Sequence, residues 1–143
     1  MTFEKPPIDF IVRREDWSRY DLKDGAILKV KIILTRIHKK EKQVSTDILI
    51  TQVVLTNESG TPDSTPYTQE QLRTFIQREI GFTTTSQDWN EYVADDGTRI
   101  KIQPMVSRID KTSKFNNKGE PIYLTNIQGN IQITPPPHPL TER

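Results

Sequence analysis

A chain of 143 residues with 20 basic and 19 acidic side chains, a formal charge of +1 and no cysteine is long enough to bury one core without metals or disulfides. The missing thiols exclude a disulfide framework, a thiolate zinc site and a cysteine nucleophile. The near balance of charge removes any general attraction to nucleic acid or to an anionic membrane. The start, MTFEKPPIDF, has no apolar signal-like region, and the apolar runs are too short to span a bilayer. The sequence therefore reads as a cytoplasmic protein without a membrane partner.

Taken from the N-terminus, IDFIVRR reads as an edge strand, and DWSRYDLKDG follows it. The same phrase returns as DWNEYVADDG. Sliding the chain by 72 positions superposes Phe10 on Phe82, Trp17 on Trp89, Tyr20 on Tyr92, Gly25 on Gly97, Arg36 on Arg108 and Lys39 on Lys111. The repetition reads as an internal duplication. In each copy an Asp-Gly pair stands between strand-like runs, where Gly supplies a positive φ and Asp caps the turn with its own carboxylate. Trp17 and Tyr20 cannot share one face of a regular strand, so a turn or short helical step is expected at Asp16–Ser18, with Asp16 and Asp88 as caps. The tryptophans read as covers for the ends of the core. Trp17, Tyr20, Gly25, Trp89, Tyr92 and Gly97 are thus the structural set.

Leu28, Val30, Ile32 and Leu34 alternate with polar neighbours, as do Ile100, Ile102 and Val106, so each copy carries a long half-buried strand. Pro104 cannot donate to a ladder and requires an edge or a bulge. A shift of 74 aligns LITQV at Leu49 with YLTNI at Tyr123, which gives each copy a third strand and makes the second hairpin loop two residues longer. Between the copies, Pro66, the apolar set Leu72, Phe75, Ile76 and Ile80, and Gly81 predict a helix over about residues 67–80.

The expected fold is mainly β: a six- to seven-stranded barrel or sandwich, internally duplicated as two three-stranded meanders with pseudo-twofold symmetry and one bridging α-helix. Residues 1–134 form one domain with repeats 10–56 and 82–133, a loop and helix at 57–81, and an extended Pro-rich tail at 135–143.

No sequence motif for a nucleophile, a nucleotide or a metal is present, and no cofactor is expected. His38 and His138 are the only histidines; His38 reads as solvated or packed and His138 lies in the proline-rich tail. Adjacent Asp95 and Asp96 point to opposite faces in a strand and make a poor acid–base pair. Charge placement says more. Arg36, Lys39, Lys40 and Lys42 gather at one hairpin tip, and Arg108, Lys111, Lys114 and Lys118 gather at the other with Phe115. Asp21, Asp24, Asp95 and Asp96 lie at the opposite turns. Solvated tips are the plain reading. Acidic turns meeting basic tips of a neighbour would support assembly. Basic tips tracking phosphates, with Phe115 or Tyr123 stacked on a base, would support nucleic-acid binding. The favoured function is a non-enzymatic binding or assembly module, a structural or interaction protein that self-associates or docks on a protein partner. The rival is a small β-barrel nucleic-acid binder.

Overall fold

The two Asp-Gly pairs set the frame. In a computed structural model of the chain, which describes residues 8–137, Gly25 has φ 91° and Gly97 has φ 92°. The Asp24 and Asp96 carboxylates accept the N–H groups of Ala26 and Thr98 at 3.0 Å each. Both turns are built as their residues demand.

The described residues form nine strands and one short helix: β1 (Phe10–Arg14), β2 (Ser18–Leu22), β3 (Ile27–Lys40), β4 (Gln43–Leu55), α1 (Gln69–Arg73), β5 (Ile76–Glu79), β6 (Phe82–Ser86), β7 (Asn90–Ala94), β8 (Arg99–Phe115) and β9 (Pro121–Thr134). They make two antiparallel sheets. One runs β4-β3-β2-β6; the other runs β1-β7-β8-β5, with β9 on the remaining side of β8. β2-β3-β4 and β7-β8-β9 are both meanders, as expected. The strand count exceeds six or seven because β5 and β6 were not foreseen. The end strands of a sheet do not pair with one another, so neither sheet closes.

The outermost short strands are crossed. β1 precedes β2 in sequence yet pairs with β7, and β6 precedes β7 yet pairs with β2. IDFIVRR is thus an edge strand, on the sheet of the later half. Individual bonds recur at the same offset of 72. Ile8 N–H donates to the Ile37 carbonyl at 3.0 Å and Ile80 N–H to the Ile109 carbonyl at 2.8 Å. Asp95 N–H donates to Asp9 at 2.9 Å and Lys23 N–H to Gly81 at 2.8 Å. Phe10 packs edge-on against Tyr92 at 5.8 Å, and Phe82 against Tyr20 at 5.9 Å.

Tyr20, Leu28, Val30 and Ile32 of one sheet and Tyr92, Ile100, Ile102 and Ile109 of the other are fully buried in one core. Burying such side chains contributes about 1.5–3 kcal/mol each. Both long strands carry a bulge at matching positions, between Leu34 and Arg36 and between Val106 and Arg108. At each, the skipped hydroxyl donates to a carbonyl across the ladder, Thr35 to Asp47 at 3.0 Å and Ser107 to Asn126 at 3.4 Å. The bulges reverse the alternation, which turns Ile37 and Ile109 inward and His38 outward toward Asp47, 3.2 Å away. Pro104 lies where β8 is flanked by β9 alone, since β7 ends opposite Ile102 and β5 begins at Asp110, so the strand is locally an edge.

Three expectations need correction. The helix is five residues long rather than spanning 67–80. A capping box between Thr68 and Gln71 starts it, and the Thr74 hydroxyl donates to Gln71 to end it. Ile76–Glu79 then pairs with the half of β8 that β7 does not reach, because sheet bonds there outweigh helix propensity. The third strands match at an offset of 79, not 74: Lys39 stands opposite Val44 but Lys111 opposite Tyr123, so the second connection is seven residues longer. No helical step occurs at Asp16–Ser18; instead Arg14 holds both Asp16, at 2.9 Å, and Asp88, at 2.7 Å. The tail beyond Pro137, with His138, lies outside the described residues.

The tyrosine hydroxyls test this core. Tyr92 donates to Glu15 at 2.7 Å and accepts from Leu34 N–H at 3.3 Å, whereas Tyr20 donates to Gln87 at 2.7 Å. Tyr92→Phe should destabilise by about 1–3 kcal/mol, and by more than Tyr20→Phe, because it strands a buried N–H as well. Urea midpoints of the two variants in the reverse order would contradict this.

Candidate interaction surface

Half of the basic residues at the tips are engaged within the chain. Lys39 pairs with Asp96, so the tip of one half meets the acidic turn of the other. Together with the Thr98 N–H, that ammonium holds the Asp96 carboxyl down at about 2. The Arg108 guanidinium lies 2.9 Å from Asp110 and 3.4 Å from Glu79. Lys111 is buried and pairs with Glu58. Lys114 stands over the Phe75 ring at 4.2 Å and near the Tyr67 ring at 5.6 Å. Arg36, Lys40, Lys42 and Lys118 have no carboxylate within ion-pair distance among the described residues.

Neither aromatic proposed for base stacking is free. The Phe115 ring lies against Gly60, where an added Cβ would come within 2.5 Å of it. Tyr123 packs on the core, and its hydroxyl donates to Asp24 at 2.6 Å. Burial, with the Asp24 carboxylate beside it, pushes this hydroxyl's pKa well up. The segment read as a plain loop is organised around Asp63, which accepts from the Thr65 and Tyr67 hydroxyls at 2.6 Å each. Those bonds hold its carboxyl at about 2. The loop docks on the second tip through Gly60 N–H to Gly119 and Asp63 N–H to Asn116.

Of the acidic set, Asp24 and Asp96 cap their turns. Asp21 accepts from Thr85 at 2.7 Å and lies 3.5 Å from Arg19, and Asp95 stays exposed. A cleft of about 510 Å³ lies beside the Lys39–Asp96 contact, bordered by Lys42, Val44, Ile133 and Pro136. Among the described residues no group of three or more His, Asp or Glu side chains is placed to hold a metal, and no helix is long and apolar enough to cross a membrane.

The surface that sequence reasoning missed is the outer face of the β4-β3-β2-β6 sheet. β4 is an end strand, 13 residues long, with β3 as its partner on one side and no strand on the other among the described residues. Its outward row is Asp47, Leu49, Thr51, Val53 and Leu55, with Leu49 53 %, Val53 41 % and Leu55 49 % exposed. Beside it, Trp17 is 40 % exposed between the Lys29 and Lys31 ammonium groups, 5.7 and 5.6 Å from its ring centre. Trp17 therefore does not cover the core, and Trp89 is half-buried; among the described residues the fully buried aromatics are Tyr20 and Tyr92.

The equivalent row shows that the fold does not require this apolarity. Ile32 stands opposite Ile50, and its counterpart Pro104 stands opposite Gly129. Leu49, Thr51, Val53 and Leu55 then correspond to Gln128, Asn130, Gln132 and Thr134 on β9. One edge strand is greasy outward where its counterpart is polar. The signal was present in ILITQVVL, but alternation could not be assigned to a face without the register. No family model matches the chain, and no curated protein or solved structure is significantly similar to it.

Asp96 supplies a pH test. Its carboxyl is depressed in the folded chain, so its stabilising effect is present above about pH 4 and is lost as pH falls toward 2. The pair is about one-third exposed, which limits the effect to roughly 0.2–1 kcal/mol. Asp96→Asn should flatten the acid limb of the stability profile by that amount. An unaltered limb in urea titrations from pH 6 to about 2 would remove this role.

Proposed function

We propose that the chain is a non-enzymatic binding or assembly module, a structural or interaction protein that acts through the outer face of its first sheet. The observation that carries this reading is the exposed row Leu49, Val53 and Leu55 on a strand whose outer edge is open among the described residues, in positions that are polar on the corresponding strand. Exposed apolar side chains along an open ladder favour a protein partner. Either a symmetric oligomer or docking on a larger complex satisfies it. No step of this reading needs a cofactor.

The nucleic-acid reading ranks second. It needs cations free to meet phosphates, and internal partners for Lys39, Arg108, Lys111 and Lys114 leave Arg36, Lys40, Lys42 and Lys118, half of the eight, for that role. Charge-driven assembly loses ground for the same reason, because Asp96 already meets a basic tip. We also read the two halves as copies of one ancestral unit. The shared Trp, Tyr and Gly positions and the crossed bonds at one offset support that origin.

Salt and nucleic acid separate the readings. Association through an apolar face should persist or strengthen as salt rises. Binding to phosphates through about four cations should fall tenfold or more between about 50 and 200 mM salt. Fluorescence anisotropy with single-stranded RNA and DNA should show no binding tighter than about 10 μM at physiological salt, far from the roughly nanomolar affinity of specific binders. Tight, salt-sensitive binding that Lys40→Ala, Lys42→Ala and Lys118→Ala abolish together would replace this reading with the nucleic-acid one.

A further inference from the structure

Resting on the binding reading above, we infer that the occupant of the β4 edge is a second copy of the same chain, paired antiparallel to β4 about a twofold axis at Gln52. The two four-stranded sheets then join into one of eight.

The first argument is charge. β4 contains one charged residue, Asp47, which faces His38 of its own chain at 3.2 Å. It has no lysine, arginine or proline, the residues by which edge strands repel a like edge. A neutral strip meets itself without electrostatic penalty. A foreign strand selected by charge would find only this single carboxylate to read.

The second argument is register. Antiparallel pairing about Gln52 sets Leu49 against Leu55 of the second copy, Ile50 against Val54 and Thr51 against Val53. Every exposed apolar side chain of the strand then meets an apolar or β-branched one. Asp47 falls beyond the paired segment, which spans about 23 Å. Even-numbered residues meet even-numbered ones, so the outward rows of both copies form one continuous strip on one face. A register centred on Asp47 would oppose two carboxylates, and one centred on Leu49 would set Asp47 against Thr51 and leave Leu55 against Gln43.

The third argument is the counterpart strand. β9 is as long and also uncharged, yet at the positions matching Leu49, Thr51, Val53 and Leu55 it carries Gln128, Asn130, Gln132 and Thr134, amide and hydroxyl. The two edges share their backbone geometry and differ in the apolar surface that would drive association.

The test uses the full chain. Light scattering at about 100 μM, a concentration that would populate even a micromolar dimer, should give twice 16.6 kDa in low and in high salt. Leu49→Lys with Val53→Lys should return the monomer mass, whereas Met105→Lys, a lysine on the exposed outer row of the other sheet, should leave the dimer intact. Because the chain has no cysteine, Gln52→Cys gives one thiol that meets itself across the axis at about 5 Å between Cα atoms, within disulfide reach. Mild oxidation should link it into a covalent dimer, while Gln132→Cys on β9 should stay unlinked. A circular-dichroism melt of each variant separates dispersal from unfolding.

A monomer at that concentration overturns the second-copy inference and leaves a foreign partner, or the chain's own terminal segments, as the occupant. A dimer that survives both lysines, or that Gln132→Cys links as readily as Gln52→Cys, overturns it by placing the interface elsewhere. Neither result brings nucleic-acid binding, which is the failure of the parent reading.

Discussion

Everything in this molecule hangs on the crossed pairing of β2 and β7, each of which takes a neighbour from the other half of the chain. β2 and β7 are five residues each, and within its own half each pairs only with the long strand that follows it. Each gains its second neighbour from the other half, β6 for β2 and β1 for β7. The exchange also delivers Phe82 onto Tyr20 and Phe10 onto Tyr92, so the aromatic centre of each half is completed by the other. The tyrosine hydroxyls follow the same rule, since Tyr20 reaches Gln87 and Tyr92 reaches Glu15. A half-chain would lack a strand and leave its buried tyrosine without its ring partner and its acceptor. Interactions that couple the ends of a sequence in this way make the core all-or-none, at the cost of long-range loop closure.

That crossing explains what was legible in the sequence and what was not. Local chemistry was legible: Asp24-Gly25 and Asp96-Gly97 demand a turn wherever they fall, and Leu28 to Leu34 alternate over a length only a strand can hold. Partnership was not. Ile76 and Ile80 read as helix because their spacing fits one, but β8 outruns β7 and leaves unpaired backbone that a strand alone can satisfy. The third strands were matched on LITQV and YLTNI, a likeness of composition. Their register is set by the bulges at Thr35 and Ser107 and by a second connection that folds back under the 57–68 loop. The tryptophans look like core residues in any table of preferences, yet Trp17 is held outside between two lysines.

The basic tips illustrate the same limit for a candidate site. Lys39 and Lys111 occupy equivalent positions and look equally free in the sequence. In the folded chain one meets Asp96 at the turn between β7 and β8 and the other meets Glu58 from the connecting loop. The acidic-turn-to-basic-tip attraction read for neighbouring subunits is thus used between halves of one chain. Its second instance is replaced: Asp24, the counterpart of Asp96, is held by the Tyr123 hydroxyl instead.

Where two halves share so much, their differences become informative. Some are absorbed by packing. Ala26 and Thr98 stand at the same turn, and the Thr98 hydroxyl is buried with no hydrogen-bond partner among the described residues. Gly129 faces Ile48, where a side chain like that of its counterpart Ile50 would strike it, with an added Cβ already at 2.9 Å. Both changes lie inside and answer to the core. The change from Gln128, Asn130, Gln132 and Thr134 to Leu49, Thr51, Val53 and Leu55 lies outside, where the core makes no demand. Polar side chains serve the ladder equally well at those positions, as β9 demonstrates, and they avoid the hydration cost of the apolar ones. The apolar row therefore has no explanation inside the core, and it lies along the one long edge of the first sheet that the chain leaves open among its described residues.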